Sequence, residues 1–152
     1  MSLLRPMQFS ITIAAPVEKV FQVFHDPDGY RRWTSAFCEG SYYEGRWEQG
    51  ARVRFMSPTE DGMVAEIAAF RPNEYISLRH LGWVVKGVED TESEAVRSWA
   101  PAYENYTFQT VPEGTRLIVD QDVLEEYLDF MSKTWPKALS LLKELCEGTI
   151  KG

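Results

Sequence analysis

Two cysteines and two histidines are the only thiols and imidazoles that this 152-residue chain offers to a transition metal. Cys38 and Cys146 stand far apart, neither has a histidine beside it, and there is no CxxC pair. A zinc set or a redox-active dithiol built from sequence neighbours is therefore excluded, and both thiols are expected to be buried as small hydrophobic groups. No apolar run approaches the ~20 residues of a membrane span. No leader-like segment opens the chain, so a reducing cytoplasm fits. Basic residues are also scarce, with 16 Lys and Arg against 23 Asp and Glu for a formal charge of -7. Without a basic run to neutralise phosphates, a nucleic acid is not an expected partner, and the mean field repels an anionic membrane. A Gly-rich phosphate loop, a Gly-x-Ser-x-Gly elbow and an HExxH helix are all missing. Neither a metal nor a cofactor is expected.

What is present is a good supply of core. Hydrophobic residues make up 44% of the chain and aromatics 13%, and a chain this long buries about 70% of the surface that its unfolded form exposes. One domain over 1–152, structured from about 7 to 147, is the expected organisation. Met7 to Ile13 alternates apolar and polar residues, the period of a half-buried strand. Pro16 then opens a helix in which Val17, Val20, Phe21 and Phe24 share one face. Asp26 caps, and Pro27 starts, a second short helix ending at Trp33. Six β-type runs follow between turn residues: Phe37–Tyr43, Ala51–Met56, Gly62–Phe70, Tyr75–Leu81, Ala102–Thr110 and Thr115–Val123. Short turns of this kind join antiparallel neighbours. The Gly82–Pro101 connection is too long for a hairpin. Its apolar anchors Trp83, Val84, Val85, Val88 and Trp99 suggest a partly ordered lid. From Glu125 the period returns to that of a helix, with Leu128, Met131, Trp135, Ala138, Leu142 and Leu145 in one stripe. Pro136 should kink or restart it near Trp135, and Gly148 can stop it.

The fold class is α+β: a curved antiparallel sheet of six or seven strands around a long C-terminal helix, with two short helices after the first strand. The stretch from Ile11 to Phe21, then Asp26-Pro27 and Tyr30-Arg31-Arg32-Trp33, resembles the opening of the START-like, or SRPBCC, superfamily. Further on, Tyr103 to Phe108, Gly114 to Leu117, and Trp135 to Leu139 with Leu142-Lys143 are similar to the branch named for the activator of heat-shock-protein-90 ATPase. The resemblance implies a helix-grip fold with a deep cavity between sheet and long helix. It implies a function among those of relatives that bind lipids, sterols, polyketides or plant hormones, or that catalyse cyclisation or hydroxylation. The co-chaperone namesake carries a second N-terminal domain for which this chain has no room, so a chaperone partner is not expected.

Strand parity names the residues that would face such a cavity, provided no β-bulge intervenes. His80 shares a face with Ile76 and Leu78, Glu104 and Tyr106 share one with Phe108, and Gln121 continues the face of Leu117 and Val119. Met63, Ala65, Ile67 and Ala69 form another, whose alanines leave room. Trp33, Trp83, Trp99 and Tyr30 are placed around the mouth, and Trp135 on the helix completes the set of ligand-binding candidates. The expected function is binding of a small apolar molecule, lipid or aromatic, with His80, Glu104 and Tyr106 orienting its polar group. No residue is assigned as catalytic. An enzyme of cyclase or hydrolase type, acting on an aromatic or polyketide-like substrate with His80 or Glu104 as base, is one alternative. A protein-interaction module is the other, and would present an apolar outer sheet face over a solid core. Tyr42, Tyr43 and Trp47 would suit a homodimer surface.

Overall fold

The computed structural model describes residues 4–148. The extremes of the expected span, 1–3 and 149–152, lie outside the described residues. Strand β1 (Leu4–Ile13) leads into helices α1 (Val17–His25) and α2 (Pro27–Trp33), and a single 3-10 turn follows at Thr34–Ala36. Strands β2 (Tyr42–Glu44), β3 (Arg52–Met56), β4 (Gly62–Arg71), β5 (Tyr75–Val85) and β6 (Val88–Asp90) precede a one-turn helix α3 (Glu94–Arg97). Strands β7 (Ala102–Val111) and β8 (Gly114–Leu124), a 3-10 turn and the long helix α4 (Leu128–Glu147) complete the chain. The sheet runs β1-β8-β7-β5-β4-β3-β2, with β6 attached to β5, and every pairing is antiparallel. It has eight strands where the sequence suggested six or seven. The eighth is β6, which was hidden in the Gly82–Pro101 connection.

That connection is ordered by three devices. β5 runs on to Val85, and Lys86 and Gly87 turn the chain with positive φ values of 51 and 80. β6 then pairs back on β5 from Trp83↔Asp90 to Val85↔Val88. The Ser93 hydroxyl accepts from the Val96 amide and caps α3, while the side chain of Val96 is fully buried. Glu89 reaches Arg54 at 2.8 Å and Arg52 at 2.9 Å, clamping the hairpin to β3.

The short helices follow the sequence signals closely. The Asp26 carboxylate accepts from the amides of Asp28 and Gly29, and α1 turns Val20, Phe21 and Phe24 inward. Gly29 sits where α2 crosses α1 so closely that an added Cβ would lie 2.1 Å from the Val23 carbonyl. α4 is unbroken through Pro136, which is exposed, so the expected restart near Trp135 does not occur. Its buried face holds Trp135, Ala138, Leu139, Leu142 and Cys146, and Gly148 closes it at φ 74. At that end Glu147 accepts from the Ala14 amide at 2.7 Å and from Lys143, tying helix to β1.

Two register shifts correct the simple alternation on β4 and β5. Ile67 pairs with Leu78 and Ala69 with Ser77, so Ala68 is an extra residue. Phe70 therefore turns inward against Phe21, and Ala69 leaves the face assigned to it. Likewise Ala65 pairs with His80 but Val64 with Gly82, leaving Leu81 extra. Three other expectations are corrected. Phe37 belongs to a turn rather than a strand, with its ring against Trp135 at 4.9 Å. Cys38 is exposed, whereas Cys146 is buried as expected and burial pushes its thiol up to about 12. Tyr43 and Trp47 are half-buried, with the Tyr43 hydroxyl donating to the His25 carbonyl at 2.6 Å, which leaves Tyr42 as the exposed member of that trio. Among the described residues no helix is long and apolar enough to cross a membrane.

Candidate functional site

Four neighbouring elements deliver one polar cluster into an otherwise apolar interior. Antiparallel pairing sets Glu104 of β7 opposite both Leu78 of β5 and Gln121 of β8. His80, two residues beyond Leu78, is then the diagonal neighbour of Glu104 on the same face, within reach for long side chains. His80 Nε2 lies 3.1 Å from Glu104 Oε1, and Gln121 Nε2 donates to the same oxygen at 2.9 Å. The Tyr106 hydroxyl donates to the other carboxylate oxygen. From α4, the Trp135 indole N–H donates to Gln121 Oε1 at 2.8 Å. The side chains of His80 and Glu104 are 8% and 15% exposed. A carboxylate so far from water is costly unless its oxygens are hydrogen-bonded, and here both are. Five residues placed inward from sequence, His80, Glu104, Tyr106, Gln121 and Trp135, thus form one network.

Two pockets meet at this cluster. The larger, about 520 Å³, is walled by Leu4, Met63, Trp83, Trp99, Leu124, Tyr127 and Phe130, with His80, Gln121 and Asp122 as polar side chains. The smaller, about 270 Å³, lies under the short helices, among Phe24, Tyr30, Trp33, Phe37, Phe55, Tyr106 and Trp135, and reaches Glu104. Met63, His80, Gln121 and Met131 belong to both walls. The extra residue Leu81 is what brings Trp83 to the larger pocket. Strict alternation from His80 would point Trp83 outward, whereas the bulge restores it to the inner face opposite Met63. Trp83 then meets Trp99, presented by the α3 turn, with ring centroids 4.8 Å apart. The Gly82–Pro101 segment is a pocket wall built of a hairpin and a helical turn.

The remaining candidates divide. Trp33 stacks on Phe24 and donates its indole N–H to the Phe24 carbonyl at 3.0 Å, with an edge on the smaller pocket. Phe108 is not at the site: its ring packs on Phe21 and Phe24 at 5.0 and 5.5 Å and lines neither pocket. Tyr30 belongs to the smaller pocket, and burial, with the Glu104 carboxylate nearby, pushes its phenol well above the ordinary tyrosine value. Sequence reasoning missed Tyr127 and Phe130, which are 43% and 47% exposed at the rim of the larger pocket. Their one signal is being large aromatics three apart on the polar side of the helical stripe. Met63, on a strand face expected to look into the cavity, and Met131, in the helical stripe, stand in the walls of both spaces.

The family model described as Activator of Hsp90 ATPase homolog 1-like protein matches residues 14–147, and the chain belongs to that family. Solved structures share the architecture. Protein MLL2253 from Mesorhizobium loti has a TM-score of 0.74 at 18% identity, over 97% of this chain and 100% of that one. The Aha1 dimer from Colwellia psychrerythraea, solved in solution, has a TM-score of 0.70 at 20% identity, over 94% and 96%. DynU16, from the dynemicin biosynthetic locus, has a TM-score of 0.68 at 16% identity, over 93% of this chain and 47% of that one. At such identities the likeness is one of fold, and the helix-grip α+β class read from the sequence holds. No curated protein matches the chain.

Proposed function

We propose that this member of the family binds a small, mainly apolar molecule, aromatic or lipid-like, in the paired pockets between the sheet and α4. The observation that carries the reading is the Glu104 network, which stands between two apolar spaces instead of being sealed in a filled core. The larger space falls within the roughly 300–1,000 Å³ of small-molecule sites. A few convergent polar groups on an apolar wall are what fixes the orientation of such a ligand. The half-exposed rings of Tyr127 and Phe130 at its rim supply apolar contact for an entering ligand. The interaction-module alternative draws less support, because the large exposed apolar side chains of the strands do not form one outer face: Tyr42 lies on edge strand β2, Val85 and Val88 at a hairpin end, and Tyr103 on inner strand β7. DynU16 comes from a biosynthetic locus, which adds a small-molecule setting by analogy alone. We place the work in the cytoplasm, where the exposed Cys38 thiol stays reduced.

Native mass spectrometry of freshly purified protein, repeated after denaturing extraction, tests the proposal. A co-purified organic mass, or a saturable rise in Tm with naphthalenes or fatty acids, is the expected outcome. An apo mass together with an unmoved Tm across both series would sink it. A homodimer is the accompanying proposal for assembly: the Colwellia relative is a dimer, and Tyr42, Val85 and Val88 are exposed apolar side chains. Sedimentation equilibrium returning a single protomer mass at all loadings would remove it.

A further inference from the structure

The cluster fixes more than a place for a polar group, because its hydrogen bonds have a direction. An indole N–H only donates, so Trp135 obliges the Gln121 oxygen to accept. The Gln121 amide orientation, ordinarily ambiguous, is thereby settled with its N–H2 toward Glu104. Glu104 accepts that bond on one oxygen and the Tyr106 hydroxyl on the other. Both carboxylate oxygens of Glu104 are thus engaged as acceptors, and neither offers a hydrogen. The ring nitrogen facing it, His80 Nε2, must then carry the hydrogen. In a neutral imidazole the other nitrogen is left as an acceptor. That nitrogen, Nδ1, is buried and has no hydrogen-bond partner among the described residues. His80 as a whole is 7% exposed and stands in the wall shared by both pockets.

We infer that the site selects ligands bearing a hydroxyl donor on an apolar ring system, a phenol or an enol, and that His80 Nδ1 is the acceptor that reads it. The inference rests on the ligand-binding reading above and narrows it to a chemical class. A ligand offering only acceptors, such as an ether or a ketone, leaves Nδ1 unpaired and meets its lone pair with another. A buried acceptor left without its donor lowers affinity by about tenfold or more.

The test uses three probes of nearly equal shape: 2-naphthol, 2-methoxynaphthalene and naphthalene. Their Kd values are taken from quenching of the protein's tryptophan fluorescence at about pH 8. The expected order is 2-naphthol tighter than the other two by about tenfold or more. His80→Phe should remove the advantage of 2-naphthol over the other two. Equal affinities for the three in the natural protein, or tighter binding of the ether, would overturn the acceptor inference and leave the pocket reading standing. No binding of any probe would count against both. A second measurement does not depend on a variant that folds. With two histidines in the chain, the long-range proton–nitrogen NMR correlations of His80 are readily assigned. A protonated Nε2 and a bare Nδ1 are expected, and the opposite tautomer overturns the proposal.

Discussion

The two ends of the space between sheet and α4 are built from the same materials and finished differently. Beneath α1 the rings of Phe21, Phe24, Phe70 and Phe108 interlock edge to face, with centroids 5.0 to 5.5 Å apart for the three contacts of Phe21 and Phe24 on one another's partners, Phe70 and Phe108. Toward the start of α4 the aromatic groups of Trp83, Trp99, Tyr127 and Phe130 stand around a void of about 520 Å³. Aromatic content alone therefore does not make a pocket. At the first end a two-helix cap presses Val20, Phe21 and Phe24 into the sheet. At the other a hairpin and one helical turn form walls without a plug, and the buried polar groups are gathered between. The comparison separates a packed core that holds the fold from walls free to serve a ligand, with Phe24 at the border between that core and the smaller pocket.

The strongest way to break the filled end is Phe24→Ala. The ring is 1% exposed and touches Trp33, Trp47, Tyr106 and Phe108. A loss of about 3–5 kcal/mol is expected, a large part of the roughly 5–15 kcal/mol that holds a domain together, and urea unfolding would show it. Removing the boundary carboxylate with Glu104→Ala comes next. It strips partners from His80, Tyr106 and Gln121, so about 1–3 kcal/mol should go in the same assay, together with the preference for hydroxyl ligands.

Smaller still is the clamp on the open end. The Arg54 guanidinium, with Arg52, holds the Glu89 carboxyl below its ordinary value of 4.5. A folded-state pKa that is depressed adds stability above the unfolded value, and that stability fades as the pH falls through the folded one. Glu89→Gln should therefore be less stable than the natural protein near neutrality, by up to about 1 kcal/mol. The two stability curves should converge below pH 4.5, and a constant gap down to strong acid would contradict the account. The smallest stability effect belongs to the rim. Phe130→Ser is expected within about 0.5 kcal/mol while weakening the ligand, which would show that the open end contributes to binding and little to folding.

Much of the site was legible one strand at a time. Alternation in Tyr75–Leu81, Ala102–Thr110 and Thr115–Val123 put His80, Glu104, Tyr106 and Gln121 on inner faces, and the structure places them there. The same rule put Phe108 at the site, because parity says which face a residue takes and not how far along the sheet the space lies. It also put Ala69 on the inner face, where the extra residue Ala68 turns Phe70 in instead. A bulge of one residue has no composition of its own, so no pattern announced it.

Local interactions are written in local sequence. The Asp26-Pro27 helix start, the stripe of α4 and the Gly148 stop each depend on residues within a turn or two of one another, and each is readable without coordinates. Strand register, the hairpin concealed in Gly82–Pro101, the inward turn of Trp83 and the lone nitrogen of His80 depend on which distant segment arrives alongside. Those emerge on folding, since a bulge or an unpaired atom is defined by its neighbour across the sheet and not by its neighbour in the chain.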